Sequence, residues 1–133
     1  MVEFDRLAQA LKAGWKIEAE SIQQISGGLD SSAWNFRAGE WFVKVRSDAA
    51  WGLTVAFELA AAGILSVSAP VRTLNRRICV ELDDHFIYVF PFFEGQNGFE
   101  RELTLRNWEM LGMELRKVHA TPLPMPEHTR VRV

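Results

Sequence analysis

Between two strand-like stretches the chain places Ser26-Gly27-Gly28-Leu29-Asp30-Ser31-Ser32-Ala33, and soon after it Trp41-Phe42-Val43-Lys44-Val45-Arg46, a lysine set inside an apolar run. This glycine turn leads into a strand rather than a helix, and Gly39-Glu40 makes a second short reversal. Strands joined by hairpin-length connections lie antiparallel, because a parallel crossover needs roughly a dozen residues or more. A dinucleotide site of the parallel βαβ kind is disfavoured on the same ground. Gly27 and Gly28 also let backbone N–H groups approach an anion with no side chain in the way, and Ser31 and Ser32 add hydroxyl donors. A plain serine- and glycine-rich hairpin turn is the other reading of these residues.

Around this turn the order of elements is legible. Phe4, Leu7, Ala8 and Leu11 recur at helical spacing, which predicts a helix over Val2 to Ala13 ended by Gly14. Trp15 to Ile25 reads as a strand, then Ala33 to Ala38 and Trp41 to Arg46 as two more. Ser47 or Asp48 can cap a helix running to about Ala62, with Gly63 as its left-handed stop. After an irregular Ser66 to Pro70 come extended pieces at Val71 to Leu74, Arg77 to Leu82 and His85 to Phe90, with reversals at Asn75-Arg76 and Asp83-Asp84. Pro91 closes the last strand, a glycine-containing loop follows, and Glu102 to His119 forms a long amphipathic helix with Leu105, Trp108, Leu111, Leu115 and Val118 on one side. The expected class is α+β, an antiparallel sheet of about five strands with helices set against it.

Composition excludes several roles. The 133 residues, 48% hydrophobic and 24% charged, suit a globular domain with its own core. A net charge of -2 gives no support to a nucleic-acid or anionic-membrane partner. Cys79 is the single cysteine, so no internal disulfide is expected; in Arg77 to Leu82 it reads as a buried strand thiol. Val2 to Ala13 carries Glu3, Asp5, Arg6 and Lys12, unlike a secretory leader, and no window approaches the roughly 18 apolar residues of a membrane helix. A cytoplasmic location is expected.

An ammonium amid Phe42, Val43 and Val45 is costly to bury unpaired. Glu58, in the otherwise apolar Val55-Ala56-Phe57-Glu58-Leu59-Ala60, is its best candidate partner. The alternative puts Lys44 on a solvated edge and Glu58 on the outer side of its helix. From about Ile25 to His119 the chain resembles the aminoglycoside phosphotransferase / choline kinase family, relatives of the protein kinases. The residues that carry the resemblance are Ile25 to Trp34, Phe42-Val43-Lys44-Val45, Glu58, Ala69-Pro70-Val71, Tyr88-Val89-Phe90-Pro91-Phe92-Phe93-Glu94-Gly95, and Leu111 to His119.

The resemblance implies a kinase-like N-terminal lobe over residues 1–98, with 99–133 as the helix and tail that begin a second lobe. The turn fits the pattern G-x-G-x-x-G-x-V with Ser26, Gly28, Ser31 and Ala33 at its key places, one glycine being kept. Lys44 would meet the α- and β-phosphates of ATP and Glu58 would hold it. Phe42, on the strand face of Lys44, would line the adenine pocket with Ile25 and Ala33. Val89 to Phe92 would be a hinge offering backbone groups to adenine; Pro91 lacks an N–H, so Phe90 or Phe92 would donate.

The family's reaction also needs a catalytic aspartate in a His-Gly-Asp type loop, and magnesium ligands after it. No His-Gly-Asp occurs here, and the last aspartate, Asp84, precedes the hinge. His85, His119 and His128 are not placed as general bases. The expectation is therefore the ATP-binding part of a longer small-molecule kinase, transferring the γ-phosphate to a substrate hydroxyl but incomplete as it stands. Its small-molecule substrate would need the absent second lobe. The alternative is a non-enzymatic α+β interaction domain. Trp34, Phe36, Trp41, Val43 and Val45 point away from Lys44 and need cover, from the first helix or from a second copy of the chain. With the apolar stripe of the long helix, they lead to an expectation of self-association as a dimer.

Overall fold

A computed structural model describes residues 3–25, 33–49, 51–95 and 101–123. The order is α1 (Phe4–Trp15), β1 (Ile22–Ile25), β2 (Ala33–Ala38), β3 (Trp41–Arg46), α2 (Trp51–Ala61), β4 (Val80–Leu82), β5 (His85–Pro91) and α3 (Leu105–Ala120). The strands form one five-stranded antiparallel sheet in the order β1-β2-β3-β5-β4. The expected α+β class and strand number hold.

Two tight turns fix the register. Ala38 pairs with Trp41 across Gly39-Glu40, and Gly39 has φ 61°, a left-handed conformation that costs glycine no Cβ clash. Leu82 pairs with His85 across Asp83-Asp84, whose φ values of 48° and 63° are those of a turn with both central residues left-handed. Aspartate tolerates that region better than most residues, so this pair works without glycine.

Helix α1 packs on one sheet face. Leu7, Ala10, Leu11 and Ile17 form a single buried cluster with Phe36, Ala38, Val43, Val45, Ile87 and Val89, with Trp34 and Trp41 packed against it. Of the two covers considered from sequence for this aromatic face, the chain's own first helix is the one used. Each fully buried Leu or Phe there contributes about 1.5–3 kcal/mol by removal of apolar surface from water.

Several boundaries differ from the sequence expectation, each for a local reason. α1 runs on through Gly14 to Trp15, and the left-handed residue is Lys16 at φ 55°. Its amide donates to Lys12 O at 3.0 Å and that of Ile17 to Leu11 O at 3.2 Å, closing the helix end. Gly14 is needed for closeness instead: a Cβ there would lie 2.9 Å from Val80 Cγ2. The residues from Lys16 to Ser21 consequently form no strand, and β1 is only its last four. Val71 to Leu74 is likewise no strand, although the Val71 amide donates to Val89 O at 2.7 Å. Its backbone serves α1 instead: Trp15 Nε1 donates to Val71 O at 2.9 Å and the Leu74 amide to Gly14 O at 2.8 Å. β4 begins at Val80, leaving Cys79 just outside it.

Helix α2 ends as expected, with Gly63 at φ 100° and its amide on Ala60 O at 3.0 Å. Helix α3 starts later than expected because Thr104 caps it. Thr104 Oγ1 accepts from the Asn107 amide at 3.1 Å, and Asn107 Oδ1 accepts from the Thr104 amide at 3.0 Å. None of the residues of α3 is buried.

Candidate functional site

Because β2, β3 and β5 pair in register, one row of the sheet reads Ile25, Asn35, Lys44, Tyr88 and the next reads Gln23, Arg37, Phe42, Phe90. Ala33 stands opposite Arg46 on the same face. Alternation places all of these on the face away from α1. Thus Ile25, Ala33, Phe42, Lys44 and Phe90 share one surface. The Phe42 and Phe90 rings meet edge to face at 6.1 Å, giving that surface an apolar wall. Ser26, Gly27, Gly28, Ser31 and Ser32 lie outside the described residues.

Glu58 is half-buried on α2, one residue before the buried Leu59. Among the described residues, no ion pair joins it to Lys44. Asn35 is a neighbour of Lys44 that sequence reasoning missed. Among the described residues its Oδ1 is buried without a hydrogen-bond partner, an acceptor on the Lys44 face that a bound group can satisfy. The two-residue loop at Gly39-Glu40 was the available signal, since it pairs position 35 with position 44.

The Val89 to Phe92 segment is braced from the β2–β3 hairpin. The Phe92 amide donates to Glu40 O at 2.9 Å, so it is already engaged and is not the free donor that the sequence suggested. Arg37, also missed from sequence, lies 4.0 Å over the Phe92 ring and pairs with Glu94 at 3.3 Å, while its Nε donates to Gly39 O at 3.1 Å. Burial pushes the Cys79 thiol above its ordinary range, with a hydrogen bond to Tyr88, which pairs with Lys44 across β3 and β5, partly opposing. A thiol so placed is a packing group rather than a thiolate nucleophile.

No protein-family model and no curated protein matches this chain. Solved structures do. The fold defines the class: it is that of the N-terminal lobe of aminoglycoside-phosphotransferase-like kinases, as the sequence resemblance implied. In particular, the chain is similar to a spectinomycin phosphotransferase solved with ADP and spectinomycin, at 27% identity and TM-score 0.79 over 92% of this chain. The AMP-bound complex of that enzyme matches at 25% identity and TM-score 0.74 over 93% of this chain. An amicoumacin kinase solved with AMP-PNP and Ca2+ shares the fold at 12% identity and TM-score 0.68, over 98% of this chain. The chain spans 39% of the length of the first two and 44% of the third. Among the described residues, no helix is long and apolar enough to cross a membrane.

Proposed function

We propose that this chain is the ATP-binding lobe of a small-molecule kinase of the aminoglycoside phosphotransferase type. The observation that carries the proposal is the gathering of Ile25, Ala33, Phe42, Lys44 and Phe90 on the sheet face away from α1. The shared fold with a phosphotransferase solved with ADP supports it. Phe42, Phe90, Ile25 and Ala33 offer apolar surface to the base. Lys44 supplies the charge for the α- and β-phosphates. By the sequence resemblance, Ser26, Gly27, Gly28, Ser31 and Ser32 would give backbone and hydroxyl donors to the phosphate chain.

ATP supplies the transferable γ-phosphoryl group, and this chain's residues bind and orient it. The catalytic aspartate and magnesium ligands that the resemblance assigns have no match in the sequence. Transfer to a substrate hydroxyl is accordingly a property proposed for the whole enzyme, with the small-molecule site outside this chain. The second reading is a non-enzymatic interaction domain that binds no nucleotide.

Isothermal titration with ATP and magnesium tests the proposal. Saturable binding is expected, weakened about tenfold or more by Lys44→Ala through loss of a charge-assisted contact. No heat at millimolar nucleotide, or binding indifferent to Lys44→Ala, overturns it in favour of the interaction domain.

A further inference from the structure

The tight turn at Gly39-Glu40 decides which residues of β2 and β3 stand closest. Ala38 and Trp41 close it, and across a two-residue loop such a pair exchanges backbone hydrogen bonds. Alternation then makes Arg37–Phe42, Asn35–Lys44 and Ala33–Arg46 the pairs without backbone bonds. The Phe92 amide on Glu40 O is an independent check: it turns the backbone groups of Glu40, Phe42 and Lys44 toward β5 and away from β2. Pairs of the unbonded kind bring their Cα atoms to about 4.5 Å, against about 5.5 Å for bonded pairs, so their side chains crowd together. Asn35 is accordingly the closer flank of Lys44, and Tyr88 the more distant one.

Among the described residues Asn35 Oδ1 is buried and accepts no hydrogen bond. A buried acceptor left in that state is costly, so the position calls for a donor. The neighbours on this face sort the candidates. Ile25, Ala33 and Phe42 bring apolar side chains. Arg46 is only a diagonal neighbour, about 7–8 Å away, and its guanidinium already bonds Asp48 at 3.1 Å. Ionised phosphate oxygens are acceptors and cannot serve. The Lys44 ammonium is directly opposite and carries three N–H donors. We infer that Asn35 is a positioning residue for Lys44: as a nucleotide draws the ammonium toward its α- and β-phosphates, Asn35 Oδ1 takes one of its hydrogens and fixes its direction. The carboxamide is neutral, so the ammonium keeps its full charge for the phosphates, which a carboxylate partner would offset. The inference rests on the nucleotide-binding proposal.

The test compares ADP with adenosine, which lacks the phosphates, by isothermal titration of the 133-residue chain. Asn35→Leu keeps the size of the side chain and removes the acceptor. It is expected to weaken ADP about tenfold or more, through loss of a hydrogen bond to a charged group, and to leave adenosine unchanged. In a Lys44→Ala background the same substitution is expected to change ADP affinity less than about twofold, because the two residues act as one. Circular dichroism checks the fold of each variant. In the native chain, the side-chain amide resonances of Asn35 are expected to move with ADP and to stay still with adenosine, a measurement that needs no variant. An ADP-to-adenosine ratio unchanged by Asn35→Leu, a full effect persisting without Lys44, or resonances unmoved at saturating ADP overturns the inference and leaves the nucleotide site standing. Equal losses for both ligands do the same, since they point to packing or a ribose contact. No ADP binding to the native chain overturns both.

Discussion

At the scale of single residues, glycine at position 14 shows how a packing demand can look like a helix stop. In sequence it follows an amphipathic run and reads as a C-terminal glycine; in the fold it lets α1 approach Val80. Two effects compete in Gly14→Ala. Helix propensity gains about 1 kcal/mol, while forcing a methyl to 2.9 Å from Val80 Cγ2 costs about 1–3 kcal/mol. A net loss of stability is expected, by about 1 kcal/mol. In a Val80→Ala background the clash is gone and the same substitution should stabilise. Urea unfolding of the four-member cycle checks the reversal of sign, and a stabilising Gly14→Ala in the native background would count against the packing role.

At the scale of elements, α3 meets the segment that follows α2 through its Glu114. Ser66 Oγ donates to Glu114 Oε2 at 2.6 Å, and Lys117 Nζ donates to Glu114 Oε1 at 2.8 Å. The hydrogen bond from Lys117, then that from Ser66, holds the Glu114 carboxyl below its usual 4.5. A lowered native value means that the folded state binds the proton less readily than the unfolded one. The contribution is therefore present above 4.5 and is lost as pH falls through the lowered native value. Following the Glu114 carboxyl by nuclear magnetic resonance as pH is varied should give a midpoint below 4.5; a midpoint at or above it would show that the contact does not persist in solution. The elements also divide by how much of them the sequence reveals. β2, β3 and the turns at Gly39-Glu40 and Asp83-Asp84 were legible because a two-residue reversal and strict alternation are local signals. The lengths of β1 and of the expected Val71 to Leu74 strand were not, because those backbone groups are claimed by α1 through Trp15, Gly14 and Leu11. For the site, alternation alone put Phe42 beside Lys44. Asn35 and the engaged Phe92 amide needed the register of neighbouring strands, which depends on partners distant in sequence.

For the whole molecule, the sheet has two unlike faces. α1 seals one with Leu7 and Leu11, which removes that face as a reason for self-association. The apolar residues of α3, with Leu105, Trp108, Leu111, Met113 and Leu115 exposed, are what remains of the case for a dimer. The other sheet face carries Lys44, Asn35 and the Phe42–Phe90 wall, and the proposed function stands on its taking a nucleotide. Mapping backbone amide shifts while adding ADP is the most direct test of that claim. The largest changes are expected at Asn35, Phe42, Lys44 and the stretch from Phe90 to Phe93, with α1 and its buried partners nearly still. Changes centred on α1 or α3, or none at saturating ADP, would contradict it.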